Sequence, residues 1–213
     1  KNITQDTINR ISTSTNFINP LSQTFIVDRN LNENGVFVSS IDIFFSTKDD
    51  ILPVTLQIRP IINEQPSSGQ IVPFGEVTLN PSEVNASATA PSVSTSSTYT
   101  RFTFESPVYL FPDEYAIVLT SPSGNYAVHT SVLGEIVRNT TDTNVSLQPN
   151  VQSFFEPQNS SVWQSNVEKQ LMFRVNRCEF DTGSHSVYFS LEGKPTSGNT
   201  SGIDFDLFKL STS

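Results

Sequence analysis

Residues 99–121, YTRFTFESPVYLFPDEYAIVLTS, decide the fold class of this protein. In their first half Phe102 and Phe104 alternate with polar residues, so both rings point to one face of a β-strand. Pro107 marks the end of that strand or a bend in it, because proline has no backbone N–H to donate. A second strand over residues 115–119 is apolar on both faces, which indicates a central position in a sheet. We expect the two strands to form an antiparallel pair at the centre of a β-sandwich.

The composition is that of a polar β-protein. The chain has 213 residues with 16 Phe, one Trp and one Met, and only 15% of its residues are charged, so we expect an aromatic core. This composition weighs against a helical bundle or a nucleotide-binding α/β domain. A net charge of −9 argues against nucleic acid or an anionic membrane as a partner.

The cysteine count and the lengths of the apolar runs bound the cellular context. Cys178 is the single cysteine, so no internal disulfide can form. No apolar run approaches the roughly 20 residues of a spanning helix, so we expect no membrane insertion.

The order of patterns predicts one principal domain with flanking segments. Residues 1–20 form a lead-in arm or a short helix, and residues 21–178 form the β-sandwich. Turn signals at sandwich spacing separate about eight strands between residues 24 and 177, which favours a jelly roll. Residues 179–213 are predicted to start a following β module or C-terminal extension that is truncated here.

Within the sandwich the alternation of side chains predicts several local features. The strand over 36–47 and the strand over 53–59 are expected to form an antiparallel hairpin. Residues 134–165 have no clear period. Residues 171–177 close the domain, with Leu171, Phe173 and Val175 inward.

The chain lacks the motifs of common catalytic sites, which predicts a non-enzymatic protein. General acid–base chemistry usually recruits His, and only His129 and His185 are present. There is no nucleophile elbow, no glycine-rich phosphate loop and no zinc-ligand spacing. A polysaccharide-degrading enzyme stays as a third hypothesis, because the fold rather than the sequence places glycosidase carboxylates.

One loop has the spacing of oxygen ligands for a metal. Asp28, Asn30 and Asn32 match positions one, three and five of a calcium loop, so calcium is the one cofactor to consider. The match ends there, because Glu33 stands where that loop needs glycine and Ser39 where it needs glutamate. The alternative is an ordinary turn, in which Asp and Asn bond to nearby backbone groups.

Two aromatic residues are candidates for binding a glycan. Trp163 lies in a polar run and Tyr126 begins a predicted strand over residues 126–131, and at least one of them would have to be exposed beside polar side chains. The alternative for Trp163 is a plug at the end of the sandwich core.

Several segments in order resemble a domain of large virion structural proteins of contractile-tailed bacteriophages, notably cyanophage-type myoviruses. The resemblance covers about residues 19–178 and continues into FDLFKL (205–210). It rests on NPLSQTF (19–25), GVFVSSIDIFF (35–45), PVTLQIR (53–59), PFGEVTL (73–79), FTFESPVYL (102–110) and EYAIVL (114–119).

The resemblance implies a structural component of the phage tail or baseplate, assembled in the bacterial cytoplasm. Its partners would be other virion proteins or further copies of itself, and no catalytic residues are carried over. The strand order is also similar to jelly rolls used as carbohydrate-binding modules, which implies attachment to a host-surface glycan as the alternative function.

Overall fold

The computed structural model describes residues 3–6, 13–16, 20–89, 91, 95–137, 140–146, 151–158 and 162–180. These residues form fifteen strands: β1 (Ile3–Asp6), β2 (Thr13–Asn16), β3 (Leu21–Ile26), β4 (Val36–Ile43), β5 (Phe45–Thr47), β6 (Val54–Ile62), β7 (Gln65–Pro66), β8 (Glu76–Leu79), β9 (Thr100–Leu110), β10 (Glu114–Thr120), β11 (Ala127–Val132), β12 (Val151–Gln158), β13 (Val162–Asn166), β14 (Lys169–Leu171) and β15 (Phe173–Arg177). Two short 3₁₀ turns, Pro81–Glu83 and Ser96–Thr98, are the only helical segments in this part of the chain.

Two large antiparallel sheets enclose the core, which confirms the predicted all-β sandwich. The first sheet has the order β1-β15-β4-β9, and the second has the order β13-β12-β3-β10-β6-β7, with β8 also paired to β6. Apolar side chains from both sheets meet in one cluster that includes Phe25, Phe102, Phe154 and Phe173. The predicted aromatic core is therefore confirmed. The chain crosses repeatedly from one sheet to the other, as in a jelly roll.

A smaller third sheet continues the first one. It has the order β14-β11-β2, and β5 also pairs with β11. β4 and β15 pair with each other as far as Ile43 and Phe173, and then separate. At that point the backbone N–H of His129 donates to Phe44 O at 2.9 Å, and the N–H of Met172 donates to His129 O at 3.0 Å. β11 therefore lies where β4 and β15 diverge.

The two strands of residues 99–121 are correctly located, but they do not pair with each other. β9 is an edge strand of the first sheet and pairs with β4, whereas β10 lies inside the second sheet between β3 and β6. The predicted central position of β10 is confirmed, because Tyr115 through Leu119 are buried on both faces. Side-chain alternation determines which face of a strand is apolar and leaves its partner undetermined. The chain between β9 and β10 thus crosses the sandwich instead of turning back along one sheet.

The predicted hairpin of residues 36–47 and 53–59 is also wrong. β4 pairs with β15 and β9 in the first sheet, and β6 pairs with β10 and β8 in the second. The alternation along residues 41–45 also predicts that Ile41, Ile43 and Phe45 share one face and Phe44 lies on the other, and this is correct. Ile41, Ile43 and Phe45 lie in the main core, while Phe44 packs with Met172 on the other side.

Two segments contain strands that the sequence did not indicate. The lead-in arm supplies β1, which pairs with β15, and β2, which pairs with β11, so a helix is absent from residues 3–6 and 13–16. Residues 134–165 contain β12 and β13. Thirteen strands lie between Leu21 and Arg177, against about eight expected. Most of the missed strands are short or irregular, so their period is too brief to detect.

The chain divides into two compact units, Lys1–Glu179 and Phe180–Ser213. The first contains all fifteen strands. The predicted following module falls outside the described residues, apart from its first positions. In the described part of the chain, none of the helical segments is long and apolar enough to cross a membrane.

Candidate functional site

Tyr126 is buried, which corrects its prediction as an exposed glycan platform. The residue immediately precedes β11, and its side chain has no exposed surface. Its ring contacts Phe45 edge-on at a centroid distance of 5.8 Å, and its hydroxyl donates to Leu52 O at 2.6 Å. Burial raises the pKa of its phenol, with a smaller contribution from the charge of Asp49. Tyr126 is thus a core residue with a satisfied hydroxyl.

Trp163 is half-buried on the β12–β13 hairpin. Its ring packs edge-on against Phe155, with the ring centroids 6.2 Å apart. The side chain is therefore neither a core plug nor a fully exposed platform.

An open depression lies at the β13 end of the second sheet, as far as the described residues define it. We call it the hairpin depression; it has a volume of about 310 Å³, and its lining residues are Glu156, Gln164, Ser165, Asn166, Val167 and Glu168. Its lining is predominantly polar. The sequence signal for it was weak, because residues 134–165 show no regular alternation.

The Asp28 loop forms a hydrogen-bonded turn. Asp28 Oδ1 accepts from the backbone N–H of Asn30 at 2.8 Å, and Asp28 O accepts from the N–H of Asn32 at 2.9 Å. Arg177 Nη1 donates to Asn32 Oδ1 at 2.6 Å. The positive charge of Arg177 beside Asn32 Oδ1 would repel Ca²⁺. Asp28 Oδ1 already accepts from the backbone of the turn. These residues therefore do not fit a calcium site. Among the described residues no group of three or more His, Cys, Asp or Glu side chains could hold a metal ion.

His129 is placed as a structural residue. Its side chain is fully buried, and Nε2 lies 2.8 Å from Ser87 O. A side chain with no access to solvent cannot reach a substrate proton in this conformation. The other histidine, His185, lies outside the described residues.

Two carboxylates, those of Asp42 and Asp49, are buried in the described part of the chain, and both are held by fixed partners. Asp42 pairs with two guanidinium groups, since Arg101 Nε lies 2.7 Å from Oδ1 and Arg174 Nε lies 2.8 Å from Oδ2. The Arg174 guanidinium in turn lies 4.5 Å from the centroid of the Tyr99 ring. This cluster joins β4, β9 and β15 on the outer face of the first sheet.

Asp49 joins two loops through four hydrogen bonds. Its Oδ1 accepts from the backbone N–H groups of Ile51 and Leu52, both at 2.7 Å. Its Oδ2 accepts from Ser123 Oγ at 2.6 Å and from Asn125 Nδ2 at 2.7 Å. The Ser123 hydroxyl, followed by the two backbone N–H groups, holds the pKa of this carboxyl well below its usual range. Asp49 is therefore ionised and committed to the fold.

Three aromatic rings, those of Phe37, Tyr109 and Phe111, form a row at the surface, which we call the aromatic ridge. The Phe37 and Tyr109 centroids are 4.7 Å apart, and those of Tyr109 and Phe111 are 4.8 Å apart. Phe37 is 39% exposed and Phe111 is 65% exposed. The rings come together because Phe37 and Tyr109 are direct partners in the β4–β9 pair.

The loop before β4 holds the centre of the ridge in place. The Tyr109 hydroxyl donates to Asn34 O at 2.6 Å. Gly35 has a φ of +76°, and a Cβ there would lie 2.4 Å from Leu110 O and 3.1 Å from the Tyr109 hydroxyl. Only glycine fits this position without strain, so the loop can lie against the tyrosine ring.

The sequence analysis did not predict the aromatic ridge, although the outward direction of Phe37 can be inferred from the alternation in its strand. Phe37 lies between Val36 and Val38 in a predicted strand and must point away from one apolar face. What was absent was the pairing of β4 with β9, which alone brings Phe37 to Tyr109.

Comparison with known proteins does not extend the structural description. No family model matches the chain, and no curated protein matches it either.

Proposed function

We propose that this chain is a non-enzymatic structural domain of a bacteriophage tail or baseplate protein and acts through protein–protein contacts in the virion. The observation that carries the proposal is the aromatic ridge. The resemblance of residues 19–178 to virion structural proteins supports a place in the phage tail or baseplate. The fixed partners of His129, Asp42 and Asp49 support a non-catalytic role, since none of these groups is available to a substrate.

The ridge has the properties of a protein-binding hot spot. Aromatic side chains are enriched at the centres of protein interfaces, where they provide large contact areas with few rotatable bonds. Complete burial of a Phe side chain contributes about 1.5–3 kcal/mol. Because Phe111 is 65% exposed, covering it would contribute roughly 1–2 kcal/mol to association on the same scale. Tyr109 is already held by Asn34, so little conformational entropy is lost on binding.

The edge of the first sheet favours contact through side chains over addition of a strand. β9 is an edge strand, but its pairing with β4 is irregular: Val38 pairs with Val108, and Ser40 pairs with Thr103. The irregular segment contains Pro107, which cannot donate to an added strand. Bulges and prolines are the devices by which sheet edges resist pairing. We therefore place the partner on the ridge and not along β9.

Photo-crosslinking in the intact parent protein tests this function directly. A benzophenone amino acid is introduced at Phe111 of the full-length polypeptide, the tails are assembled and irradiated, and the products are identified by mass spectrometry. We expect crosslinks to another virion protein or to a second copy. The matched control is Ile51, an apolar residue that is 83% exposed but outside the ridge and should give no crosslink.

Replacing Phe111 by serine tests whether the aromatic ridge contributes to assembly. Phe111→Ser should lower the unfolding free energy of the domain by only about 0.5–1 kcal/mol, because about two-thirds of the ring is already exposed. It should reduce tail assembly or self-association measured by sedimentation. The proposal would be overturned if the full-length polypeptide is not incorporated into tails. It would also be overturned if the Phe111 probe crosslinks no more than the Ile51 probe.

A further inference from the structure

The loop before β4 contains the one Asn–Gly pair of the sequence, Asn34–Gly35. In such a pair the backbone nitrogen of the glycine can attack the side-chain amide of the asparagine, because glycine has no Cβ to hinder the approach. Glu33 and Asn34 are exposed, so water and hydroxide reach the reacting atoms. The pair therefore has the chemistry and the access that deamidation needs.

Two hydrogen bonds hold the peptide group between these two residues. The Gly35 N–H donates to Asn32 O at 2.9 Å, and Asn34 O accepts from the Tyr109 hydroxyl at 2.6 Å. The Gly35 nitrogen is the nucleophile, so its N–H has to leave Asn32 O before the reaction can start. Because a peptide group moves as one rigid plane, the bond from Tyr109 to its carbonyl opposes the same movement. The Tyr109 hydroxyl therefore slows the reaction.

The movement that starts the reaction is local. Both bonds lie at the surface, since Asn34 is exposed and Asn32 and Tyr109 are only half-buried. Exposed backbone hydrogen bonds with few apolar contacts open without unfolding of the domain. The folded protein can thus reach the reactive conformation, at a rate that depends on these two bonds.

We propose that Asn34 is a site of spontaneous conversion to isoaspartate and that the Tyr109 hydroxyl controls its rate. Hydroxide removes the proton from the Gly35 amide, and the nitrogen attacks Asn34 Cγ. The new N–Cγ bond replaces the Cγ–Nδ2 bond, and the side-chain nitrogen takes a proton from water and leaves as ammonia. Water then opens the succinimide ring. Opening at the main-chain carbonyl carbon of Asn34 gives isoaspartate, and opening at Cγ gives aspartate; no oxidant or reductant takes part.

Isoaspartate at this position removes the support of the aromatic ridge. The chain then runs through Cγ, which adds one methylene to the backbone, and the former main-chain carbonyl that accepted from Tyr109 becomes a free carboxylate. Gly35 lies so close to Leu110 O that a Cβ on it would be 2.4 Å away, so the loop cannot take up the extra length in that direction. The ridge loses the fixed position of Tyr109 and gains a negative charge beside it. The modification goes beyond the proposed function and does not depend on it.

The test is incubation of the whole chain at mildly acidic and at mildly alkaline pH, followed by digestion and mass spectrometry, with isoaspartate detected by enzymatic methylation. We expect isoaspartate at Asn34, formed faster at the higher pH because the attacking nitrogen has to lose its proton. Asn30 is the internal control, an exposed residue of the same loop that is followed by Leu31, and it should stay unchanged.

NMR of the same samples tests the effect on the ridge. Gly35 lies against the Tyr109 ring, so the fresh protein should show NOE contacts between the Gly35 α-protons and this ring. We expect these contacts to be lost in proportion to the isoaspartate formed. Contacts that persist in fully converted protein would overturn the effect on the ridge.

Two variants test the role of the Tyr109 hydroxyl. Tyr109→Phe removes only the group that holds Asn34 O and should accelerate isoaspartate formation roughly fivefold, the equilibrium change that corresponds to one neutral hydrogen bond. Tyr126→Phe removes a hydroxyl that donates to Leu52 O, outside this loop. It is the matched control and should react at the rate of the unsubstituted chain.

Three results would overturn the proposed site. One is that Asn34 forms no more isoaspartate than Asn30. Another is that Tyr109→Phe reacts at the rate of the unsubstituted chain. The third is that Tyr126→Phe accelerates the reaction as much as Tyr109→Phe, which would mean that unfolding of the whole domain controls it. Isoaspartate is measured directly, so these results are independent of whether the ridge crosslinks to a virion protein.

Discussion

Replacing Gly35 by alanine tests whether the loop before β4 is held against Tyr109 as described. The φ of +76° places Gly35 in the left-handed region, which costs an L-residue about 1–2 kcal/mol. The added Cβ would also lie 2.4 Å from Leu110 O, a backbone atom in the strand that pairs with Val36. Overpacking of this kind typically costs a further 1–3 kcal/mol. We therefore expect Gly35→Ala to lower the unfolding free energy by roughly 2–5 kcal/mol.

The chain provides two controls that separate these effects. Gly134 has a φ of +80° but has no atom within 4 Å of its added Cβ, so Gly134→Ala should lose only the conformational part, about 1–2 kcal/mol. Gly69 has neither a positive φ nor a neighbour within 4 Å. Gly69→Ala should therefore be neutral or stabilise the protein by about 0.4–1 kcal/mol through the unfolded state.

Equilibrium unfolding in urea, followed by Trp163 fluorescence, measures all three variants. Trp163 lies in the second sheet and Gly35 precedes a strand of the first, so the signal reports cooperative unfolding. The m-values should be equal, since the same surface is exposed on unfolding. If Gly35→Ala loses no more than Gly134→Ala, the contact with Leu110 O has no energetic consequence and the proposed support of the ridge is wrong.

Three further predictions concern the buried polar groups. Asp42→Asn should lower the unfolding free energy by about 3–5 kcal/mol, because it leaves the guanidinium of Arg174 buried without its counter-charge. A loss below about 1 kcal/mol, measured by urea unfolding, would contradict this prediction. Tyr126→Phe should lose about 0.5–1.5 kcal/mol through the missing bond to Leu52 O, measured in the same assay, and a neutral result would mean that this bond is not stabilising. The Asp49 carboxyl has a folded pKa below its unfolded value of about 3.9, so its stabilisation is complete above about pH 5 and is lost progressively as the pH falls through and below the unfolded pKa. Asp49→Asn should therefore flatten the dependence of unfolding free energy on pH between about 5 and 2, and an unchanged slope would refute the assignment.

The sequence alone determined the fold class and the inward faces of the principal strands. The alternation in residues 99–110 and the apolar run in 115–119 depend only on local geometry, because side chains alternate along any β-strand. Leu171 and Phe173 were placed in the core for the same reason, and Val175 packs against it.

The tertiary structure decided which strands pair, and with that it decided the candidate sites. The aromatic ridge exists only because β4 pairs with β9, and the hairpin depression only because β12 and β13 form the edge of the second sheet. Tyr126 is buried because its ring packs against Phe45 in the main core. Asn32 Oδ1 accepts a hydrogen bond from Arg177, a residue far away in the chain, and so does not fit as a metal ligand. A period of two specifies the face of each residue but is the same for every possible partner strand, so contacts between distant residues follow only from how the whole chain packs.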